Sequence, residues 1–171
     1  PARAIERKNV PGGVLYAQRL AALLPDREVR YWLSGPAEDG YAPRLARVLD
    51  RATVPVTFGR TDRSADAYAA CDLVVLPSTW EGFGNPTIES IWARRACAAF
   101  PYPVLGEILA TGIRLFSTER VESMAKFLTE PDTVRDQYFD VNIHRARLSF
   151  DLRDLPGVID STFVSHGWTA W

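Results

Sequence analysis

Two carboxylates frame a glycine turn near the middle of the chain. The segment reads Pro77-Ser78-Thr79-Trp80-Glu81-Gly82-Phe83-Gly84-Asn85-Pro86-Thr87-Ile88-Glu89. Gly82 and Gly84 carry no Cβ, so the backbone there can approach a ligand closely. Asn85 is a good helix N-cap and Pro86 suits the first helical position, which predicts a helix opening directly after the glycines. The free N–H groups and positive dipole end of such a helix make an anion site that a diphosphate fits. A carboxylate accepts two hydrogen bonds side by side and so suits a vicinal diol, as on a ribose or a hexose. Glu81, ahead of the turn, and Glu89, one turn inside the helix, are placed to grip a sugar on each side of that diphosphate. A lone glycine pair or a lone glutamate pair reads better as a helix cap with surface acids. Here strand, glycines, cap and spacing agree, and the binding site is the stronger reading.

The elements that must position these residues alternate along the chain. Apolar, β-rich runs occur at 29–34, 54–58, 72–76, 96–100 and 113–116, and 2–5 reads as the end of another. Helical periodicity fills the gaps. Tyr16, Leu20, Leu23 and Leu24 form one apolar stripe on a helix capped by Asn9, with Pro11 in its first turn. Further helices are predicted over 41–51 and 64–70, from Asn85-Pro86, from Pro103, over 119–129 and 132–150, and after Pro156. The runs 29–34 and 72–76 are nearly continuous apolar stretches, as in strands covered on both faces. Repeated β-α units of this kind predict an α/β fold: a doubly wound, mostly parallel, Rossmann-like sheet with C-terminal helices, in a single domain over residues 1–171. In such a sheet ligands bind at the carboxyl ends of the strands, where the Glu81 segment falls.

Composition narrows the function classes. The chain has 171 residues, 47% hydrophobic and 24% charged, with formal net charge −1. That fits one globular domain and gives no field favouring nucleic acid or an anionic membrane. No apolar run approaches a transmembrane segment, and no signal peptide is evident. Cys71 and Cys97 read as buried free thiols. His144 and His166 stand far apart, and the acidic pairs Glu38-Asp39 and Asp151…Asp154 do not form a D-x-D arrangement, so no metal is expected. No G-x-G-x-x-G follows the first strand, which argues against a dinucleotide dehydrogenase. Gly35-Pro36 follows a strand and reads as a ligand border or a simple turn. Ser78 and Thr79 offer hydroxyls or a turn, and Trp80 reads as packing.

The run 77–89 resembles the E-x7-E signature of retaining GT-B glycosyltransferases of group 1, in the sucrose-synthase-like and mannosyltransferase-like family. Glu81 and Glu89 stand at that spacing, with Gly82-Phe83-Gly84 and Pro86 in register; Ser90 replaces the usual alanine. Arg3-Ala-Ile-Glu-Arg7-Lys8-Asn9 resembles the family's first-strand motif, in which an arginine and a lysine contact the diphosphate. The resemblance covers nearly the whole chain. It implies that Glu89 holds the nucleotide ribose, and that Glu81 with the backbone of Phe83 and Gly84 meets the donor sugar. Gly82 to Asn85 and Pro86 would line the diphosphate side, and Arg3 and Lys8 would stabilise the leaving group. Taken alone, the basic residues read as a solvated patch, where Arg7 is left. Phe58-Gly59-Arg60 ends the third strand, where similar enzymes place the nucleobase; Phe58 reads as a stacking residue or as core, and Arg60 as a contact. Gly35 reads as bordering the base or the diphosphate, or as a simple turn.

The resemblance further implies a nucleoside-diphosphate sugar as donor substrate, no other cofactor, and a cytoplasmic location, or the inner face of the membrane for the full-length protein. The early Arg3–Lys8 motif and the start at Pro1 suggest the donor-binding half of a longer enzyme whose N-terminal acceptor domain lies outside this chain. Trp168 and Trp171 are expected to pack on that domain or to cap this one. Two rivals stand beside this reading: a GT-B nucleotide-sugar epimerase, which would lack the E-x7-E spacing, and a non-catalytic nucleotide- or partner-binding module.

Overall fold

The computed structural model describes residues 3–167; the 2–5 run is thus covered only in part, and Trp168 and Trp171 lie outside. After a 3-10 turn at Glu6–Lys8 come α1 (Val10–Leu23), β1 (Tyr31–Leu33), α2 (Ala42–Asp50), β2 (Val56–Phe58), α3 (Ser64–Ala69) and β3 (Leu73–Leu76). They are followed by α4 (Asn85–Trp92), β4 (Ala96–Ala99), α5 (Leu105–Ala110), β5 (Phe116–Ser117), α6 (Val121–Thr129), α7 (Asp132–Phe150) and α8 (Leu155–Ser165). Every strand pairing is parallel, and a helix crosses between each bonded pair. This is the expected α/β architecture.

The order follows from local chemistry. Asn9 takes the left-handed conformation (φ 47°), which asparagine tolerates, and its Oδ1 accepts from Gly12 N at 3.2 Å, capping α1 as expected. The stripe on α1 is buried through Tyr16, Leu20 and Leu24, which pack with Val121, Met124 and Phe127 of α6. Leu23 of that stripe stays exposed. β4 is the central strand of its ladder and is wholly buried; its small Ala-Cys-Ala-Ala side chains let helices press on both faces. Ala96 and Ala98 meet α1 and α6, whereas Ala99 meets Leu105 of α5, the two-residue alternation of a strand. Cys97 is fully buried and Cys71 half-buried, both as free thiols.

Three expectations need correction. Among the described residues the sheet is not one continuous ladder: β1 pairs with β2, and β3–β4–β5 form a second ladder. Between the facing edges of β1 and β3 lies a cavity of about 630 Å³, lined by Tyr31–Leu33 and Leu73–Leu76 with Tyr16 and Leu20 from α1. For that reason β1 and β3 are largely half-buried, and not covered throughout. The two ladders are tied beyond their carboxyl ends by residues 4–7: Ala4 N donates to Pro36 O (2.8 Å), Glu38 N to Ala4 O (3.1 Å) and Thr79 N to Arg7 O (2.9 Å). Finally, the 113–116 run is not a strand over its length. Arg114 N donates to Asn142 Oδ1 (2.9 Å), and Arg114 O accepts from Asn142 Nδ2 (2.9 Å) and Tyr138 Oη (2.7 Å). Helix α7 thus takes the bonds a ladder would use, and Ile113 is buried among α4, α5 and α7.

Candidate functional site

The site grows from the carboxyl end of β3. Gly84, not Asn85, is the N-cap of α4, so Asn85 and Pro86 are its first two residues and no side chain caps the helix. The physical reason is backbone geometry. The chain enters α4 through a left-handed residue (φ 84°), which favours glycine. A Cβ at Gly84 would also lie 2.1 Å from Tyr102 Oη, the hydroxyl that donates to Phe83 O at 3.2 Å. Thr87 N and Thr87 Oγ1 both donate to Gly84 O, at 2.8 and 2.7 Å, and lock the turn. Gly82 differs: a Cβ there would meet nothing within 4 Å, so the protein itself makes no demand for a glycine. The Phe83 ring lies edge-on against Phe150 of α7, with centroids 5.6 Å apart.

Glu81 is 8% exposed and ion-paired. Its Oε1 accepts from Lys8 Nζ, and its Oε2 lies 3.4 Å from Arg7 NH1. Burial alone would raise its pKa. The Lys8 hydrogen bond, the adjoining Ser78 hydroxyl and the Lys8 and Arg7 charges outweigh that and hold the carboxyl below its ordinary value. The 3-10 turn carries both cations to this spot. It is anchored to the end of β3 by the Thr79–Arg7 backbone bond and by Asn9 Nδ2, which donates to Pro77 O at 3.2 Å.

Arg7 was expected to be solvated; the structure instead brings it to Glu81, to Trp80 O (3.3 Å) and over the Trp80 ring (5.9 Å). Trp80 is not packed away but 56% exposed. Arg3 leaves the cluster and pairs with Glu38 at 2.9 Å. Glu89 lies in α4, half-buried, and its Oε2 accepts from Tyr68 Oη at 2.5 Å. Tyr68, at the end of α3, gave no local signal in the sequence. Arg7 had one, its place beside Lys8.

The weaker candidates also sit at strand ends. Gly35 lies two residues past β1. Phe58 closes β2 in register with Leu33, and Arg60 follows it exposed. Phe58 is 56% exposed, so it is not a core residue. Gly59 is constrained by Trp32, whose Nε1 donates to Gly59 O at 3.1 Å. Among the described residues no hydrogen bond joins Gly35, Phe58 or Arg60 to the Glu81 cluster. Among the described residues, too, no three His, Cys, Asp or Glu side chains converge on a possible metal position, and no helix is long and apolar enough to cross a membrane.

The parallel α/β domain thus brings a cation-paired glutamate and a glycine turn to the carboxyl end of β3, with a second glutamate one turn into α4. Residues 4–130 match the family of glycosyl transferases group 1, and the chain belongs to it. No curated protein matches the chain in sequence. Among solved structures, a point mutant of Staphylococcus aureus TarM in complex with Fondaparinux, alpha-GlcNAc-glycerol and UDP superposes with a TM-score of 0.72 at 16% identity. That match covers 91% of this chain and 33% of TarM, so this chain spans about a third of that protein's length. The C-terminal domain of the group 1 glycosyl transferase LpcC from Francisella tularensis gives a TM-score of 0.69 at 18% identity, over 88% of this chain and 83% of that domain. At these identities the likeness is one of fold.

Proposed function

We propose that this chain is the nucleotide-sugar-binding half of a retaining, metal-independent glycosyltransferase of the E-x7-E, mannosyltransferase-like type. The observation that carries the proposal is the pairing of buried Glu81 with Lys8 and Arg7 at the mouth of the glycine turn that opens α4. The TarM neighbour, whose structure holds UDP, lends a nucleoside diphosphate as the ligand class. In this reading the diphosphate lies over Gly82–Asn85 and Pro86, and the ribose hydroxyls bond to Glu89. The donor sugar meets Glu81 and the backbone of Phe83 and Gly84. Gly35, Phe58 and Arg60 edge the nucleobase side. As the bond from the anomeric carbon to the diphosphate breaks, negative charge grows on the leaving diphosphate. Lys8 and Arg7 face that charge from fixed positions, an arrangement that favours the transition state over the ground state. Arg3 would join them only after giving up Glu38.

The acceptor, in this proposal, is brought by an N-terminal domain across a cleft, and the whole enzyme works in the cytoplasm or at the inner face of its membrane. Calorimetry with a panel of nucleoside diphosphates tests the core of the reading. At least one should bind, and Glu89→Gln should weaken it by about tenfold to a hundredfold, the loss of one charge-assisted hydrogen bond. Binding by none of the panel, or full affinity in a folded Glu89→Gln variant, would reject it.

A further inference from the structure

Glu89 does not stand alone on α4. Its Oε2 accepts a 2.5 Å hydrogen bond from the Tyr68 hydroxyl, contributed from a separate helix, whereas its Oε1 makes no hydrogen bond among the described residues. Tyr68 is 7% exposed, so its ring has little freedom to swing. Its backbone is held as firmly. Arg95 Nε donates to Tyr68 O at 2.8 Å and Arg95 NH2 to Ala69 O at 3.2 Å, while Arg95 N donates to Ser90 O at 2.8 Å. One residue therefore clamps the end of α3 to α4, next to the residue that follows Glu89.

We infer that Tyr68 is the positioning residue for Glu89: clamped by Arg95, it holds one carboxylate oxygen and presents the other to the ribose hydroxyls of a bound nucleotide. This rests on the reading of Glu89 as the ribose ligand. The chemistry favours such a device. A glutamate side chain has three rotatable bonds, and freezing them on binding costs affinity; a hydrogen bond already in place removes part of that cost. Burial and the Glu89 hydrogen bond both push the Tyr68 hydroxyl pKa upward, so it stays a donor at all physiological pH values.

The test compares two ligands in two variants. Calorimetry is run with a ribonucleoside diphosphate that binds the wild type and with its 2′,3′-dideoxy counterpart. Tyr68→Phe keeps the ring and deletes only the donor. It should weaken the ribonucleotide by about three- to tenfold, the scale of one ordinary hydrogen bond, and leave the dideoxy ligand unchanged. A general packing defect moves both ligands equally, and that result overturns the inference. So does an unchanged ribonucleotide affinity in Tyr68→Phe. Glu89→Gln separates the two levels of the argument. If it shows a ribose-dependent loss and Tyr68→Phe does not, Tyr68 has no positioning role and Glu89 keeps its own. If Glu89→Gln shows none, the ribose assignment falls and the inference falls with it. Should Tyr68→Phe fold poorly, Arg95→Gln loosens the same clamp from outside the ring, and the same ribose-selective loss is expected.

Discussion

Replacing Gly84 with alanine should be among the most damaging single-methyl additions in the chain. Two costs combine. The residue sits at φ 84°, where an L side chain is strained by about 1–2 kcal/mol. Its new Cβ would fall 2.1 Å from Tyr102 Oη and 2.8 Å from Tyr102 Cζ. Tyr102 cannot simply step aside, since it is 3% exposed and packed against Leu76, Ala99 and Leu105. Moving it also breaks the bond from its hydroxyl to Phe83 O, about 0.5–1.5 kcal/mol. With overpacking of about 1–3 kcal/mol, the total comes to roughly 2.5–6.5 kcal/mol. Urea denaturation of Gly84→Ala measures it, and a double-mutant cycle with Tyr102→Phe locates it. Removing the hydroxyl takes away the closest clash, so the double variant should be more stable than the sum of the singles predicts. A Gly84→Ala protein within about 1 kcal/mol of wild type, or strict additivity with Tyr102→Phe, would refute the argument.

Other perturbations read different parts of the structure. Because the folded-state pKa of Glu81 lies below its ordinary value, its ion pairs stabilise the fold fully above about pH 4.3 and the benefit is lost as pH falls through the folded pKa. Glu81→Gln should therefore flatten the acid limb of stability against pH, and an identical limb would remove the ion pairs from the stability of the fold. Asn142→Ala strands Arg114 N and should cost about 1–3 kcal/mol in chemical denaturation, with loss of amide-exchange protection at Arg114. EDTA should leave nucleotide affinity unchanged; abolition by EDTA and restoration by magnesium would assign a metal to the site.

The order of helices and strands was legible because it rests on local signals. The Asn9 cap, the α1 stripe and the 132–150 helix all appear where periodicity and capping place them. The misplacements share a cause: partners distant in sequence decide them. Nothing near residue 114 announces that Asn142 will satisfy its backbone, and the apolar–polar–apolar alternation of Ile113–Leu115 reads as strand on its own. The Asn85 assignment failed because a side-chain cap and a left-handed glycine compete for the same position, and the buried Tyr102 that makes glycine necessary is 18 residues away. Within the site, Glu81 and Lys8 could each be picked out from their own motifs. The choice of Arg7 over Arg3 could not, because it depends on Glu38, which the chain brings within reach of Arg3 from beyond β1.

Among the described strands only β4 is bonded on both sides. Hydrogen exchange should therefore read the ladder from its middle outward: the β4 amides should keep their protons longest, while amides on the unbonded sides of β1, β2, β3 and β5 should exchange sooner.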